Sequence, residues 1–303
     1  CDKYALALAN LLCGNGECPH MAGLEYTLAG PTLRADDYTL VALTGGAVEP
    51  KVNGKRVNMF EPLLLAPGDT LEIGMLVSGL RGYLAVFGGF DIHPVLGSRS
   101  TDLKCHIGGL NGRALKAGDV LPVLRAFELP QERFRPLQKR VRAAALEDWA
   151  LTTLTPHGFI GAQKFPLLRV VLGPQDGMFT EKGLFDFKSA LYTVTQDSNR
   201  MAAKLNGAAI EARAGVDILS DGIVEGSVQI SANGQPIVML TDHQSTGGYA
   251  KIATVIPCDI PTLAQVRPGQ LVGFRVVTVE EGTAACKKEK DKWAYLKEKI
   301  DHD

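Results

Sequence analysis

Long apolar runs are missing from this chain of 303 residues. The longest, such as Pro62-Leu63-Leu64-Leu65-Ala66, fall far short of the roughly 20 residues that a membrane-spanning helix needs. No membrane contact is expected. Excess charge of one sign is missing too, since 32 basic side chains face 33 acidic ones for a formal net charge of -1. That balance leaves no electrostatic footprint for nucleic acid or an anionic membrane surface. Cysteine is sparse: Cys1, Cys13, Cys18, Cys105, Cys258 and Cys286 are scattered, most of them in apolar surroundings. Such usage points to free thiols in a reducing cytoplasm rather than to a disulfide framework. Cys13-x4-Cys18 followed by His20 has a zinc-like spacing, but no second ligand cluster follows, so no metal is expected. A Ser-His-Asp spacing, a Walker loop and a paired zinc motif are all absent. No signal peptide is visible, although the chain begins at Cys1 rather than at a methionine.

Glycine is plentiful, with 33 residues, and it punctuates short apolar segments throughout. Asp2 to Leu12 reads as a helix with Leu8, Leu11 and Leu12 on one side, Asp2 placed to cap it, and Gly14-Asn15-Gly16 ending it. After that the periodicity becomes that of strands. Leu24 to Leu28 alternates and is expected to turn at Gly30-Pro31; Tyr38 to Leu43 ends at Gly45-Gly46. Val52-Asn53-Gly54-Lys55 is a hairpin signal, because Asn-Gly suits the type I′ turn. A strand, a Pro-Gly or Ala-Gly turn and a second strand are expected at Leu65–Leu71, Leu115–Leu121 and Val266–Leu271. Arg125 to Arg142 is charged and interrupted by prolines, and Ala143 to Leu154 is a short helical candidate. Arg169 to Leu172, Leu191 to Val194 and Ile237 to Leu240 read as strands, and Thr180 to Phe187 as a helix capped by Thr180. Cys286 to Ile300 reads as an amphipathic helix rich in Lys and Glu. Many short strands separated by turn residues predict a mainly β chain of barrels or sandwiches.

The stretch from Arg81 to Thr101 concentrates the chemistry. A short apolar strand through Tyr83, Leu84, Val86 and Phe87 stops at Gly88-Gly89, and a polar loop follows in which Arg99 stands between Ser98 and Ser100. Gly97 before them permits a positive φ or a close backbone approach. Small neighbours expose the planar donor fork of Arg99, which suits a carboxylate or phosphate; a surface loop whose Arg99 pairs with a nearby Asp fits the same residues. Similar polar loops recur at Arg200 and at Asp242-His243-Gln244 with Lys251. Together they suit a small anionic substrate and developing charge on an amide or carboxylate oxygen. His243 reads as a general base near neutral pH or as an ordinary loop histidine. Lys251 reads as a site cation or a strand-end surface lysine. Tyr249 reads as core or as a hydroxyl in a cleft, and Asp221, before Gly222, as a turn residue or a site carboxylate.

Gly88-Gly89-Phe90-Asp91 followed by Pro94-Val95-Leu96-Gly97-Ser98-Arg99-Ser100-Thr101 resembles the signature of the allophanate hydrolase subunit 2 family. This is also known as the biotin-dependent carboxyltransferase-like family, and the C subunit of 5-oxoprolinase is among its members. Further blocks agree in order: Val171 to Asp176, Ser198 to Met201, Ser220 to Val224 with Gly226-Ser227, Asn233 to Ile237, and Thr246 to Tyr249 with Lys251 to Val255. Ala250 departs from the family's usual proline, and His93 and His243 stand where the family varies. The resemblance implies two tandem cyclophilin-like β-barrel subdomains, at 1–124 and 167–280. A linker or insertion at 125–166 separates them, and a C-terminal helix at 281–303 follows. It also implies a further strand and a polar segment ahead of Asp2.

For function, the resemblance implies the C subunit of an ATP-dependent 5-oxoprolinase, which opens the 5-oxoproline lactam to glutamate together with A-like and B-like partner proteins. The alternatives are the carboxyltransferase component of a urea-type, biotin-dependent carboxylase and a non-enzymatic antagonist of a kinase inhibitor. ATP is expected in the complex. Biotin is not expected on this chain, which has no carrier segment with a lysine between methionines. Arg99, Asp221, His243 and Lys251 are the candidate catalytic residues. Gly97, Ser98, Ser100, Thr101, Ser198, Arg200, Gln244, Thr246, Gly247, Gly248 and Tyr249 are the candidate substrate-binding ones.

Overall fold

A computed structural model describes residues 1–16, 21–124 and 165–301. Two compact units emerge, one holding residues 3–16, 21–124 and 295–301, the other residues 1–2 and 165–294. The chain is mainly β, as its turn-rich pattern predicts. The expected linker at 125–166 lies almost wholly outside the described residues. So do the helical candidate at Ala143–Leu154, and Cys18 and His20 of the zinc-like spacing.

The first unit opens with α1 (Lys3–Leu12), which buries Ala5, Leu8, Ala9, Leu11 and Leu12. Eight strands follow: β1 (Leu24–Thr27), β2 (Ala29–Arg34), β3 (Thr39–Gly45), β4 (Lys51–Val52), β5 (Lys55–Arg56), β6 (Pro62–Leu65), β7 (Thr70–Met75) and β8 (Arg81–Val86). They form two four-stranded antiparallel sheets, ordered β1-β8-β3-β6 and β2-β7-β4-β5. Val41, Leu43, Leu84 and Val86 of the first sheet share a core with Leu71 and Ile73 of the second. On the other face Thr44 donates to the carbonyl of Ala5 in α1 at 2.6 Å. Both faces of β8 are therefore covered, which is why all six of its residues are buried and its sequence does not alternate.

Two local expectations change here. Gly30-Pro31 lies inside β2 rather than in a turn, and the chain changes direction at Leu28, whose φ is 62°. Gly30 is needed for proximity instead, because a Cβ there would come within 2.3 Å of Ile73. Leu115–Leu121 contains a turn but no strands. Arg113 reaches both oxygens of Asp119 at 2.7 Å, and that carboxylate also accepts from the Lys116 amide at 2.8 Å. These bonds, with that from the Asp119 amide to the carbonyl of Lys116, close the turn around one carboxylate without a strand partner.

The second unit runs through β9 (Leu167–Leu172), α2 (Glu181–Ser189), β10 (Leu191–Val194), β11 (Ala202–Asn206), β12 (Asp217–Gly222), β13 (Ser227–Ile230), β14 (Pro236–Met239), β15 (Thr246–Tyr249), β16 (Lys251–Val255), α3 (Ile260–Ala264), β17 (Leu271–Val276) and α4 (Val279–Asp301) as far as residue 294. Seven strands close into a barrel in the order β10-β11-β14-β13-β16-β9-β17, and the parallel pairing of β17 with β9 is the one non-antiparallel seam. Leu168, Val170, Tyr192, Val228, Val238, Ile252 and Phe274 belong to its core. Thr180 caps α2 by accepting from the Gly183 amide at 2.9 Å, and Phe187 of that helix stacks on Phe274 with ring centroids 4.6 Å apart. In the Val266–Leu271 segment only the second strand forms, because α3 occupies the residues before the turn.

The two remaining strands, β12 and β15, pair with each other as a separate ribbon. Each continues into a barrel strand, β12 through a short turn into β13 and β15 through Ala250 into β16. Ala250 is fully buried; its amide donates to the carbonyl of Val216 at 2.8 Å, extending the ribbon, and its carbonyl accepts from the Ile230 amide of β13 at 3.1 Å, which anchors the ribbon to the barrel.

Candidate functional site

Where the ribbon meets the barrel, Lys251 opens β16 with its side chain almost wholly buried. Its ammonium donates to Asp221 Oδ2 at 2.5 Å and to the carbonyl of Gly222 at 2.7 Å. The partners differ in exposure, 7% for the lysine side chain against 53% for the aspartate. Lys251 is thus a fixed charge within the fold, and Asp221 presents it toward solvent. The hydrogen bond from Lys251, aided by the Gly222 amide, holds the Asp221 carboxyl below its ordinary value.

The surroundings are built from glycine and amide groups. Asp221 stands opposite Gly247 and Gly222 opposite Thr246 across the ribbon, next to an irregularity in register between Asp217 and Asp221. A Cβ at Gly247 would press within 2.5 Å of Ile223 and 2.8 Å of Gln229, so only glycine fits beside that glutamine. Gln229 is buried and donates to the carbonyl of Tyr249 at 3.1 Å. Gln175 accepts from the Lys251 amide at 3.1 Å and also contributes a hydrogen bond to Asp221. Gly173 makes that approach possible, since a Cβ there would lie 2.3 Å from the carbonyl of Lys251. Sequence reasoning does not single out Gln175 or Gln229; the Gly173-Pro174-Gln175-Asp176 block is the available signal for the first, and Gln229 has none.

Tyr249 also lines a cleft of about 500 Å³ together with Thr195, Lys204, Asn206 and Gln235. Lys251 and Asp221 do not line it, so the cleft and the ion pair meet only through β15 and its tyrosine.

A second group of candidates lies on the loops flanking β11 and following β14. Arg200 binds Asp242 in a two-point pair, Nε to Oδ2 at 2.7 Å and Nη2 to Oδ1 at 3.2 Å. Ser198 closes its own turn, donating to the carbonyl of Lys204 and accepting from its amide. The Nδ1 of His243 lies 2.7 Å from the carbonyl of Gln244. A carbonyl can only accept, so Nδ1 carries the proton and Nε2 is the basic nitrogen of the neutral ring.

The remaining candidates belong to the first unit. Val95 and Ser98 exchange backbone hydrogen bonds around Leu96 and Gly97, whose φ values of 50° and 78° make a type I′ turn, with Gly97 in the positive-φ conformation it permits. Arg99 Nε donates to the carbonyl of Ile92 at 3.0 Å, and the Ser98 hydroxyl accepts from the Ser100 amide at 3.1 Å. Ser100 and Thr101 lie against Gly108 and Gly109, where added Cβ atoms would collide with them. Cys13 is a core thiol: it is fully buried, donates to the carbonyl of Ala85, and burial drives its ionisation upward. No group of three or more potential metal-ligating side chains occurs among the described residues. Nor is any helix among them long and apolar enough to cross a membrane.

A closed antiparallel-rich barrel carrying a polar glycine ribbon, joined in one chain to a second strand-rich unit, is the architecture of a carboxyltransferase-type domain. Residues 1–276 match the family described as carboxyltransferase domain, subdomain A and B, and the chain belongs to that family. It is 34% identical over 297 residues to the 5-oxoprolinase C subunit of Escherichia coli (strain K12), covering 98% of this chain and 87% of that protein. The corresponding C subunit of Haemophilus influenzae 5-oxoprolinase is 32% identical over 95% of this chain and 84% of its own length. The crystal structure of the Kluyveromyces lactis urea carboxylase matches with a TM-score of 0.81 at 28% identity, over 99% of this chain but only 26% of that one.

Proposed function

We propose that this chain is the C subunit of an ATP-dependent 5-oxoprolinase, acting with A-like and B-like partner proteins to open the lactam of 5-oxoproline to glutamate. The observation that carries this reading is the 34% identity to the Escherichia coli 5-oxoprolinase C subunit across nearly the whole of both chains. The geometry suggests how the residues would contribute. An unactivated lactam is a poor electrophile, and attack on its carbonyl carbon places negative charge on the carbonyl oxygen. Lys251, oriented by Asp221 and the Gly222 carbonyl, is a preorganised cation for that charge or for the substrate carboxylate. Asp221 remains ionised at neutral pH, so its role is to position Lys251 rather than to donate a proton. Gly248 leaves room for a ligand beside the pair, and the Nε2 of His243 is a base able to accept a proton from attacking water. Arg99, with Gly97, Ser98, Ser100 and Thr101, would bind a carboxylate or phosphate.

ATP is required by the assembled complex. The test is glutamate formation from 5-oxoproline by the purified three-protein mixture with ATP. Its absence with all three proteins folded would remove the reading.

A second reading, the carboxyltransferase component of a urea-type carboxylase, is favoured by the match to the urea carboxylase structure. Recovery of a biotinylated carrier protein with this chain, and carboxyl transfer from it to urea, would support that alternative.

A further inference from the structure

Away from the ribbon, the fold brings together two thiols that this function does not use. Cys258 lies in the short 3-10 turn Pro257–Asp259 between β16 and α3, and Cys286 lies two turns into α4. They are 28 positions apart, yet their Sγ atoms are 3.2 Å from each other. Gly282 lets α4 settle this closely, since a Cβ there would already be 3.1 Å from Ile256. Unlike Cys1 and Cys13, neither thiol is sealed in the core. Cys286 lines a cavity of about 400 Å³ shared with Val171, Ile256 and Val279 and edged by Lys287 and Lys290. Behind Cys258, Arg169 binds Asp259 at two points and also brings Nη2 to 3.6 Å from the Cys258 sulfur.

We propose that Cys258 and Cys286 form an oxidative modification site, at which hydrogen peroxide converts the pair to a disulfide fastening the first turns of α4 to the end of β16, and a dithiol reverses it. Burial, with the hydrogen bond the two thiols share, pushes the Cys258 thiol up to about 12. Cys286, open to the cavity, therefore attacks first. Its thiolate takes the terminal oxygen of the peroxide, the O–O bond breaks, and hydroxide leaves to be protonated to water. Cys258 then attacks the resulting sulfenic sulfur, and its proton leaves with the displaced hydroxide as a second water. Both sulfurs are oxidised and both peroxide oxygens reduced. The pairing needs only a small side-chain rotation to bring the sulfurs from 3.2 Å to a bond of about 2.05 Å.

The experiment treats the folded full chain with hydrogen peroxide, blocks the remaining thiols with N-ethylmaleimide, and maps cysteines by peptide mass spectrometry. The expected result is a Cys258–Cys286 linked peptide with loss of two hydrogens and joint loss of alkylation at both positions. Dithiothreitol should restore both, and the oxidised protein should melt at a higher temperature. In Cys258→Ser, Cys286 should instead be trapped as a sulfenic acid by dimedone. Full alkylation of Cys258 and Cys286 at peroxide levels that oxidise the exposed Cys105 would overturn the proposal. So would a link that forms only after unfolding in urea. The wild-type map decides the matter even if the serine variant folds poorly.

Discussion

Lys251 constrains the chemistry more than any other single residue, because its charge is fixed by the fold while its partner remains half exposed. The two members of the pair should therefore respond differently to change. Lys251→Met leaves Asp221 to water, so the urea midpoint should move little. The rate of glutamate formation by the reconstituted complex should fall about 100-fold, the usual loss when a preorganised charge is removed. Asp221 makes a matching prediction with pH. Its folded value is depressed chiefly by the hydrogen bond from Lys251, so the pair's contribution is complete above the unfolded carboxyl value of about 3.9. It is lost only as pH falls through the lower folded value. Carbon-detected NMR should place the Asp221 midpoint below about 3.9 in the wild type and move it upward in Lys251→Met. Leu96 is a residue of another kind, 96% exposed at a φ of 50°. A left-handed leucine costs roughly 1 kcal/mol, which asparagine largely avoids. Leu96→Asn should raise the melting temperature by about 2–4 °C in calorimetry.

At the scale of elements, close backbone approach does much of the positioning. β8 runs between α1 and the second sheet of its unit, and Gly82 lies beneath the ring of Tyr26, where a Cβ would meet ring atoms at 2.2–2.4 Å. The ring is anchored in the shared core and has little freedom to withdraw. Gly82→Ala should cost about 1–3 kcal/mol by overpacking, read as a lower urea midpoint at unchanged slope. In the second unit the ribbon depends on two such contacts, Gly247 beside Gln229 and Gly173 against β16. The first lets β15 lie beside the barrel and the second delivers Gln175 to Lys251. The proposed catalytic group is thus held by a barrel strand, a loop and a two-stranded ribbon rather than by one mobile segment, as preorganisation requires.

For the whole molecule, the proposed function demands partners. The polar groups assembled on this chain include cations, hydroxyls and amides, and the proposed reaction also needs ATP and the A-like and B-like proteins. Co-expression with a B-like partner protein should give one species in size-exclusion chromatography with light scattering. An obligate pairing of that kind should bury more than about 2,000 Å². Separate elution at micromolar concentration, with turnover by this chain alone, would contradict it.

Local chemistry was legible in the sequence wherever a few adjacent residues decide the outcome. Asn53-Gly54 takes φ values of 50° and 77°, as a type I′ hairpin requires, and Thr180 caps α2 as its position suggested. Gly30-Pro31 and Leu115–Leu121 misled because turn residues can equally serve close packing or a turn closed around one carboxylate. The polar blocks were visible, as was the inclusion of Asp221 and Lys251 among them. Their pairing was not, because it joins residues 30 positions apart through the register of β12 on β15. The recruitment of Gln175 was hidden for the same reason, across 76 positions, as was the meeting of Cys258 with Cys286. Dihedral preference and hydrophobic period act over a few residues and are written in sequence. Which distant side chains meet depends on how the barrel closes and where its strands slip, and only the tertiary structure decides that.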